Sequence, residues 1–285
     1  MTDPHREHIV RPLTAWEGTV PREYDLRSLH GPFDIIGDVQ GCLDELLELV
    51  QRLGYRLDEQ GVVHHPKGRM LVFVGDLIDL GPDSLGALTF AMNNVREGTA
   101  VAIRGNHEDE LLEALSSTDA GRHPWYRRRT MQALSLAPAG LKAALVAFME
   151  GLPHQLFLDG GKLVITHAGV PEKFLAETGS EAKQRSLRLP PSGRPYAKGE
   201  HWVGWAPQYK GPLQVHGHEA VGKVVHTGHV VNVDSGCMFG HRLSAFRYPE
   251  MTVRSVQAHA PYIKDRFSDP FPKFPWEHPS GEKSL

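Results

Sequence analysis

Three times along the first half of the chain an apolar run is followed at once by a glycine with a carboxylate or amide, and then by a helical pattern. "FDII" (33 to 36) opens into "GDVQGCLDELLELVQRLGY", "MLVFV" (70 to 74) into "GDLIDLGPDSLGALTFAMNNV", and "AVAI" (100 to 103) into "RGNHEDELLEAL". In the first unit Leu43, Leu46, Leu47, Val50 and Leu53 recur at helical spacing opposite Asp44, Glu45, Glu48 and Arg52, and Gly54 is placed to end the helix. A repeated strand, turn and helix is the rhythm of an α/β fold, in which ligands gather beyond the strand ends.

The remainder is less regular. Residues 122 to 151 read as one or two helices broken by "LAPAG", and "KLVIT" (162 to 166) as a buried strand ending in His167. From about 172 to 200 the chain is rich in Pro, Gly, Ser and basic residues and reads as an irregular surface insertion, a lid or rim. "LQVH", "KVVHT", "HVVNVD" and "RLSAFRY" then read as short strands of an antiparallel-leaning sheet, and a Pro- and aromatic-rich tail runs from about 261 to 285. No linker divides two cores, so the expectation is one domain over 1–285. With 285 residues and 40% hydrophobic content the chain can bury one large core. No apolar stretch is long enough for a membrane span and the start has no apolar signal core. Two cysteines, Cys42 and Cys237, fit a reducing compartment, so a cytoplasmic protein is expected. The net charge of −3 exerts no general pull on nucleic acid, and no stable nucleic-acid complex is expected.

The strand ends collect Asp38, Gln40, Asp76, Asp79, Asn106, His107, His167, His216 and His218. Singly, each has an ordinary reading: an aspartate or asparagine after a strand caps a helix or turn, and a histidine is a surface or satisfied core residue. Together they would repel one another in a partly desolvated cleft unless a cation intervenes. Oxygen donors with a few imidazoles suit manganese, magnesium, iron or zinc, and two such ions can promote in-line displacement at phosphorus.

In one order, "GDVQG", "GDLIDLG", "GNHE", "HAG" and "GH" resemble the G-D-x-H-G, G-D-x-x-D-R-G, G-N-H-E, H-(A/G)-G and G-H series of the calcineurin-like metallophosphoesterases, in the phosphoprotein-phosphatase branch. The resemblance covers about residues 33–248. Within it, "FDIIGDVQGCLDELLELVQRLGY" and "VVNVDSGCMFGHRLSAFRYPE" are similar to bacterial bis(5′-nucleosyl)-tetraphosphatases and to the phosphatase module of polynucleotide kinase–phosphatases. It implies a four-layered α/β/β/α sandwich holding two divalent ions, with manganese favoured and iron, zinc or magnesium as alternatives. It makes Asp38 and Gln40 ligands of the first ion, Asp76 the bridge, and Asn106, His167 and His218 ligands of the second. His107 becomes the acid that protonates the leaving oxygen, oriented by Asp79, and His216 takes a supporting place in the core.

Two positions depart from the family pattern. Gln40 stands where the family has histidine, which implies a harder, more loosely held first ion. Leu80 stands where the family has an arginine that grips phosphate, and leucine can neither pair nor donate. Arg104 is then the candidate substrate-binding cation, with Arg127, Arg128, Arg129, the basic residues of 183–198 and Lys210 as further candidates. The expected activity is hydrolysis of a dinucleoside tetraphosphate to nucleoside diphosphates. Phosphomonoester hydrolysis on phosphoproteins or RNA 2′,3′ ends is the enzymatic alternative, and a catalytically weakened nucleotide or phosphopeptide sensor the non-enzymatic one.

Overall fold

The computed structural model describes residues 13–117, 123–188 and 205–263. Its three motif strands, Phe33–Ile36, Met70–Phe73 and Ala100–Ala102, are parallel neighbours in a five-stranded sheet. Arg242–Tyr248 joins Phe33–Ile36 antiparallel, and Thr252–Gln257 closes that edge. A second, six-stranded sheet runs in the order Asp25–Leu26, Gln155–Leu158, Leu163–Thr166, Leu213–His216, Val230–Asn232, Val225–Thr227. The final sheet was expected to lean antiparallel, yet Leu213–His216 is parallel to both its neighbours. The connection from Leu163–Thr166 to Leu213–His216 spans residues 167–212, long enough for the crossover that a parallel strand needs.

Among the described residues six α-helices accompany the sheets: α1 (Leu43–Leu53), α2 (Ser84–Arg96), α3 (Asn106–Ser116), α4 (Trp125–Leu136), α5 (Ala139–Gly151) and α6 (Ser180–Arg188). The break between α4 and α5 falls at Ala137 and Pro138, within "LAPAG". Gly54 ends α1 in the left-handed region, at φ 100°. The stretch 172–200 is helical in part: α6 buries Ala182, Ser186 and Leu187, and its Arg185 pairs with Glu181 one turn back. Amphipathic spacing there overrides the loop-like composition of the whole segment. Residues 189–204 of that insertion and 264–285 of the tail lie outside the described residues.

Strand alternation builds the layers. Phe33, Ile35, Val72 and Val74 of one sheet meet Leu163, Ile165, Val215 and Val231 of the other, so the sheets pack face to face. Ile36, Leu71 and Phe73 point outward beneath α1, α2 and α5. On the far side, Phe157, Val164 and Val230 are covered by Tyr24, Leu175, Ala206 and Tyr209, with α6 held there by Gln155 Nε2 donating to Ser186 Oγ at 3.0 Å. The result is the α/β/β/α sandwich expected, with a thin fourth layer. Among the described residues no helix is long and apolar enough to cross a membrane.

Candidate metal centre and active site

All the motif residues arrive at the same edge because each follows its strand by one to six positions. The loops that carry them are bent hard: Gln40, Asp76, Asp79 and His218 all have positive φ, at 51°, 51°, 93° and 73°. Non-glycine residues adopt that region at a cost, and such strain clusters at functional sites. Gly217 is required for a further reason, since a Cβ there would run into Asp38 Oδ1.

Asp76 is at the centre. Its Oδ1 accepts the His107 backbone N–H at 2.9 Å, at the N-terminus of α3, and lies 3.3 Å from His167 Nε2. Its Oδ2 accepts from Gln40 Nε2 at 2.9 Å. Burial alone would raise the Asp76 carboxyl, but His167 and His107 outweigh it and hold it below the ordinary range. Asp38, by contrast, is pushed well up by burial and by the nearby Asp234 and Asp76 charges, with only the His218 backbone N–H to offset them, at 3.0 Å.

The second cluster gathers ligand-type atoms. His167 Nδ1 donates to the Val74 carbonyl at 2.8 Å; burial would lower the imidazole, but Asp76 and that carbonyl outweigh it and raise it above its ordinary value. Its Nε2 faces Asn106 Oδ1 at 3.0 Å and Asp76 Oδ1 at 3.3 Å, while His218 Nδ1 faces the same Asn106 oxygen at 2.9 Å. Asp76, His167 and His218 offer ligand atoms within 4.8 Å of one another. Burial pushes His218 down to about 3, so it is a neutral ligand type. A buried carboxylate, an amide oxygen and two imidazoles converging in this way are a donor set that a divalent cation can occupy in place of a ring proton, and the residues present fit one.

At the first position the fit is looser. Gln40 turns its Nε2, not its Oε1, toward Asp76, and among the described residues Oε1 has no hydrogen-bond partner. Beside it stands Asp234, which the sequence reading passed over. Its Oδ2 is buried and has no hydrogen-bond partner among the described residues, and burial raises its carboxyl to about 7. The signal was present: "HVVNVD" is another apolar run ending in a carboxylate, but without a neighbouring motif residue to draw attention to it.

His107 Nδ1 is 2.6 Å from Asp79 Oδ2. Burial would lower His107, but Asp76 and Asp79 overcome it and raise the imidazole to about 9, so the ring is a proton donor at neutral pH. Asp79 is fixed in turn by Arg127 of α4, whose Nε and Nη2 reach the same Oδ2 at 2.8 and 2.7 Å. Arg127 is buried, and its Nη2 also contacts Glu110 at 3.1 Å. Glu108 of "GNHE", a further residue unassigned from sequence, accepts the backbone N–H groups of Asp76, Leu77 and Gly105 at 2.7–2.9 Å and so welds the second and third motif loops together.

Among the described residues, most of the other candidate cations are engaged elsewhere and the rest are exposed. Arg104 contacts Asp109 at 3.3 Å and the Glu150 carbonyl, which ties α3 to the end of α5. Arg129 donates to the Pro82 carbonyl at 2.6 Å and Arg128 faces outward. Lys183 and Arg188 of α6 pair with Asp109 and Glu110, and Lys210 is exposed. Leu80 packs against the helix-side core. His216 is fully buried against Gly169, its Nδ1 3.0 Å from the Gly217 carbonyl, and burial lowers it to about 4.

Two face-to-face sheets with carboxylates, an asparagine and imidazoles gathered at one edge define a metallophosphoesterase. Residues 31–245 match the calcineurin-like phosphoesterase family, and the chain belongs to it. It is therefore a hydrolase of phosphate esters or anhydrides, in a family generally dependent on two metal ions. The chain is 34% identical over 250 residues to a protein named bis(5′-nucleosyl)-tetraphosphatase PrpE [asymmetrical] from Anoxybacillus flavithermus, across 82% of this chain and 98% of that one. It is 32% identical over 245 residues to the protein of the same name from Bacillus subtilis, across 82% and 98%. Among solved structures it resembles one described as a diadenosine tetraphosphatase, with TM-score 0.59, 22% identity and coverage of 82% and 97%. A protein serine/threonine phosphatase from Saccharomyces cerevisiae gives 0.52 at 14% identity, covering 83% and 82%. These two likenesses show the shared fold.

Proposed function

We propose that this protein hydrolyses dinucleoside tetraphosphates, cutting off-centre to release a nucleoside triphosphate and a monophosphate. The relatives' names support the substrate, and their qualifier "asymmetrical" favours an outer bond over the central one expected from sequence. The observation that carries the catalytic reading is His107 beside the ring of acceptors, gripped by an aspartate that is itself gripped by an arginine.

Asp76, Asn106, His167 and His218 would hold one ion, and Asp38, Asp76 and Asp234 the other, with Gln40 bracing Asp76 through its amide. Manganese suits this oxygen-rich set. Bound ions would supply Lewis acidity toward phosphate and lower the pKa of water. The chain's own residues do the rest. His107 donates a proton from Nε2 to the leaving oxygen while its Nδ1–H stays on Asp79. Arg127 keeps Asp79 ionised and in place, and so supplies to the active edge a cation that Leu80 cannot. Two buried free cysteines support the expected reducing, cytoplasmic setting.

Incubation of diadenosine tetraphosphate with chelator-treated protein and added manganese, followed by anion-exchange separation, tests this. Equimolar mono- and triphosphate is expected, with nothing released in excess chelator. Two diphosphates would overturn the bond assignment. An intact tetraphosphate alongside rapid turnover of a simple phosphomonoester would overturn the substrate.

A further inference from the structure

Behind the first motif loop lies a second group of ligand-type side chains that the phosphohydrolase reading does not use. Cys42, at the start of α1, Glu45, one turn into it, and Cys237, in the loop after Asp234, offer two sulfurs and a carboxylate oxygen within 4.8 Å of one another. All three are fully buried. We propose that Cys42, Glu45 and Cys237 form a separate structural site for a thiophilic divalent cation, zinc being the best fit.

The carboxylate decides between this and a plain disulfide. Glu45 Oε1 is already satisfied, accepting from the His259 backbone N–H at 2.8 Å and from Tyr262 Oη at 2.7 Å. Its Oε2 is buried and has no hydrogen-bond partner among the described residues. A disulfide would leave that oxygen as costly as before, because it supplies no donor. A cation satisfies the oxygen and both sulfurs at once.

Two thiolates with one carboxylate are a borderline-soft set, unlike the oxygen and imidazole donors of the catalytic edge, and suit a tetrahedral ion with one further non-protein ligand. Complete burial excludes substrate, so the site's work is structural. It would staple the loop carrying Asp38 and Gln40 to the loop carrying Asp234, and through Glu45 to the segment around His259 and Tyr262.

Cobalt(II) makes the test specific, since sulfur ligation gives an intense near-ultraviolet charge-transfer band that nitrogen and oxygen donors do not. The full chain is stripped by chelation, kept reduced with a phosphine, and titrated with Co²⁺. The band is expected in the wild type, displaced by zinc, and absent in Cys42→Ser and in Cys237→Ser. Glu45→Gln, which keeps both sulfurs but loses the carboxylate charge, should keep the band with measurably weaker affinity. A cobalt-saturated wild type without the band overturns the site, as does recovery of a Cys42–Cys237 disulfide from protein alkylated at lysis. The wild-type spectrum decides alone if the variants do not fold, and it is independent of any phosphohydrolase assay.

Discussion

One strand carries two buried aspartates with opposite fates. Asp34, inside Phe33–Ile36, is fully buried, yet Arg69 grips it with Nε at 2.8 Å and Nη2 at 2.9 Å. Arg247, its cross-strand partner in register, adds Nε at 2.8 Å, and Tyr55 donates its hydroxyl at 3.0 Å. Asp38, just beyond the strand's end, faces Asp76 and Asp234 with no arginine beside it among the described residues, and burial and those charges push it up. The contrast separates scaffold from site. A buried carboxylate whose cations belong to the chain fixes structure, and one surrounded by other carboxylates asks for a cation from outside.

The largest expected effect breaks the second cluster. Asp76→Asn removes the carboxylate that meets His107, His167 and Gln40, so manganese content and turnover should both collapse, as elemental analysis and kcat would record. His107→Ala should leave metal content intact but lower turnover by about 10²–10⁴ on a tetraphosphate, and much less on an activated aryl phosphate. Equal losses on both substrates would remove the acid role.

Breaking the first cluster should do the reverse. Arg69→Met strands Asp34 without its main partner, and urea unfolding should show a loss of about 3–5 kcal/mol. Metal affinity and kcat of the remaining folded protein should hold. A variant as stable as wild type, or one that loses manganese first, would mean that the two clusters are not separate in the way their geometry implies.

The site cluster was legible in the sequence because each member directly follows an apolar run, so a local pattern locates it. The scaffold cluster was not. Asp34 sits inside "FDII" and passes for a break in an apolar strand, while Arg69 and Arg247 lie 35 and 213 residues away and reach it only through strand pairing. Arg127 was hidden for a related reason. Three adjacent arginines point in three directions on a helix, and only the packing of α4 against α2 and α3 decides which one turns inward. Asp234 had the local pattern but no motif partner, and the partly helical insertion had a loop's composition over a helix's spacing.

Arg127 also gives the finest test of the comparison, because it is the arginine that, among the described residues, reaches a side chain of the active edge. Its fork on Asp79 is a charge-assisted contact of roughly 1.5–3 kcal/mol, so Arg127→Met should lower kcat/KM by about 10–150-fold. Leu80 lies next to Asp79 in the chain, where the family's arginine would enter, but its side chain is packed in the core. With Arg127 in place, Leu80→Arg should therefore change kcat/KM by less than about 1 kcal/mol, under roughly fivefold. In the Arg127→Met background the same substitution should restore a measurable part of the loss, a positive coupling in the double-mutant cycle. The readout is kcat/KM for a tetraphosphate at fixed manganese in all four proteins. If Leu80→Arg helps wild type and Arg127→Met equally, the two positions act independently. Arg127 would then be a brace for α4 alone and not the substitute for the missing arginine.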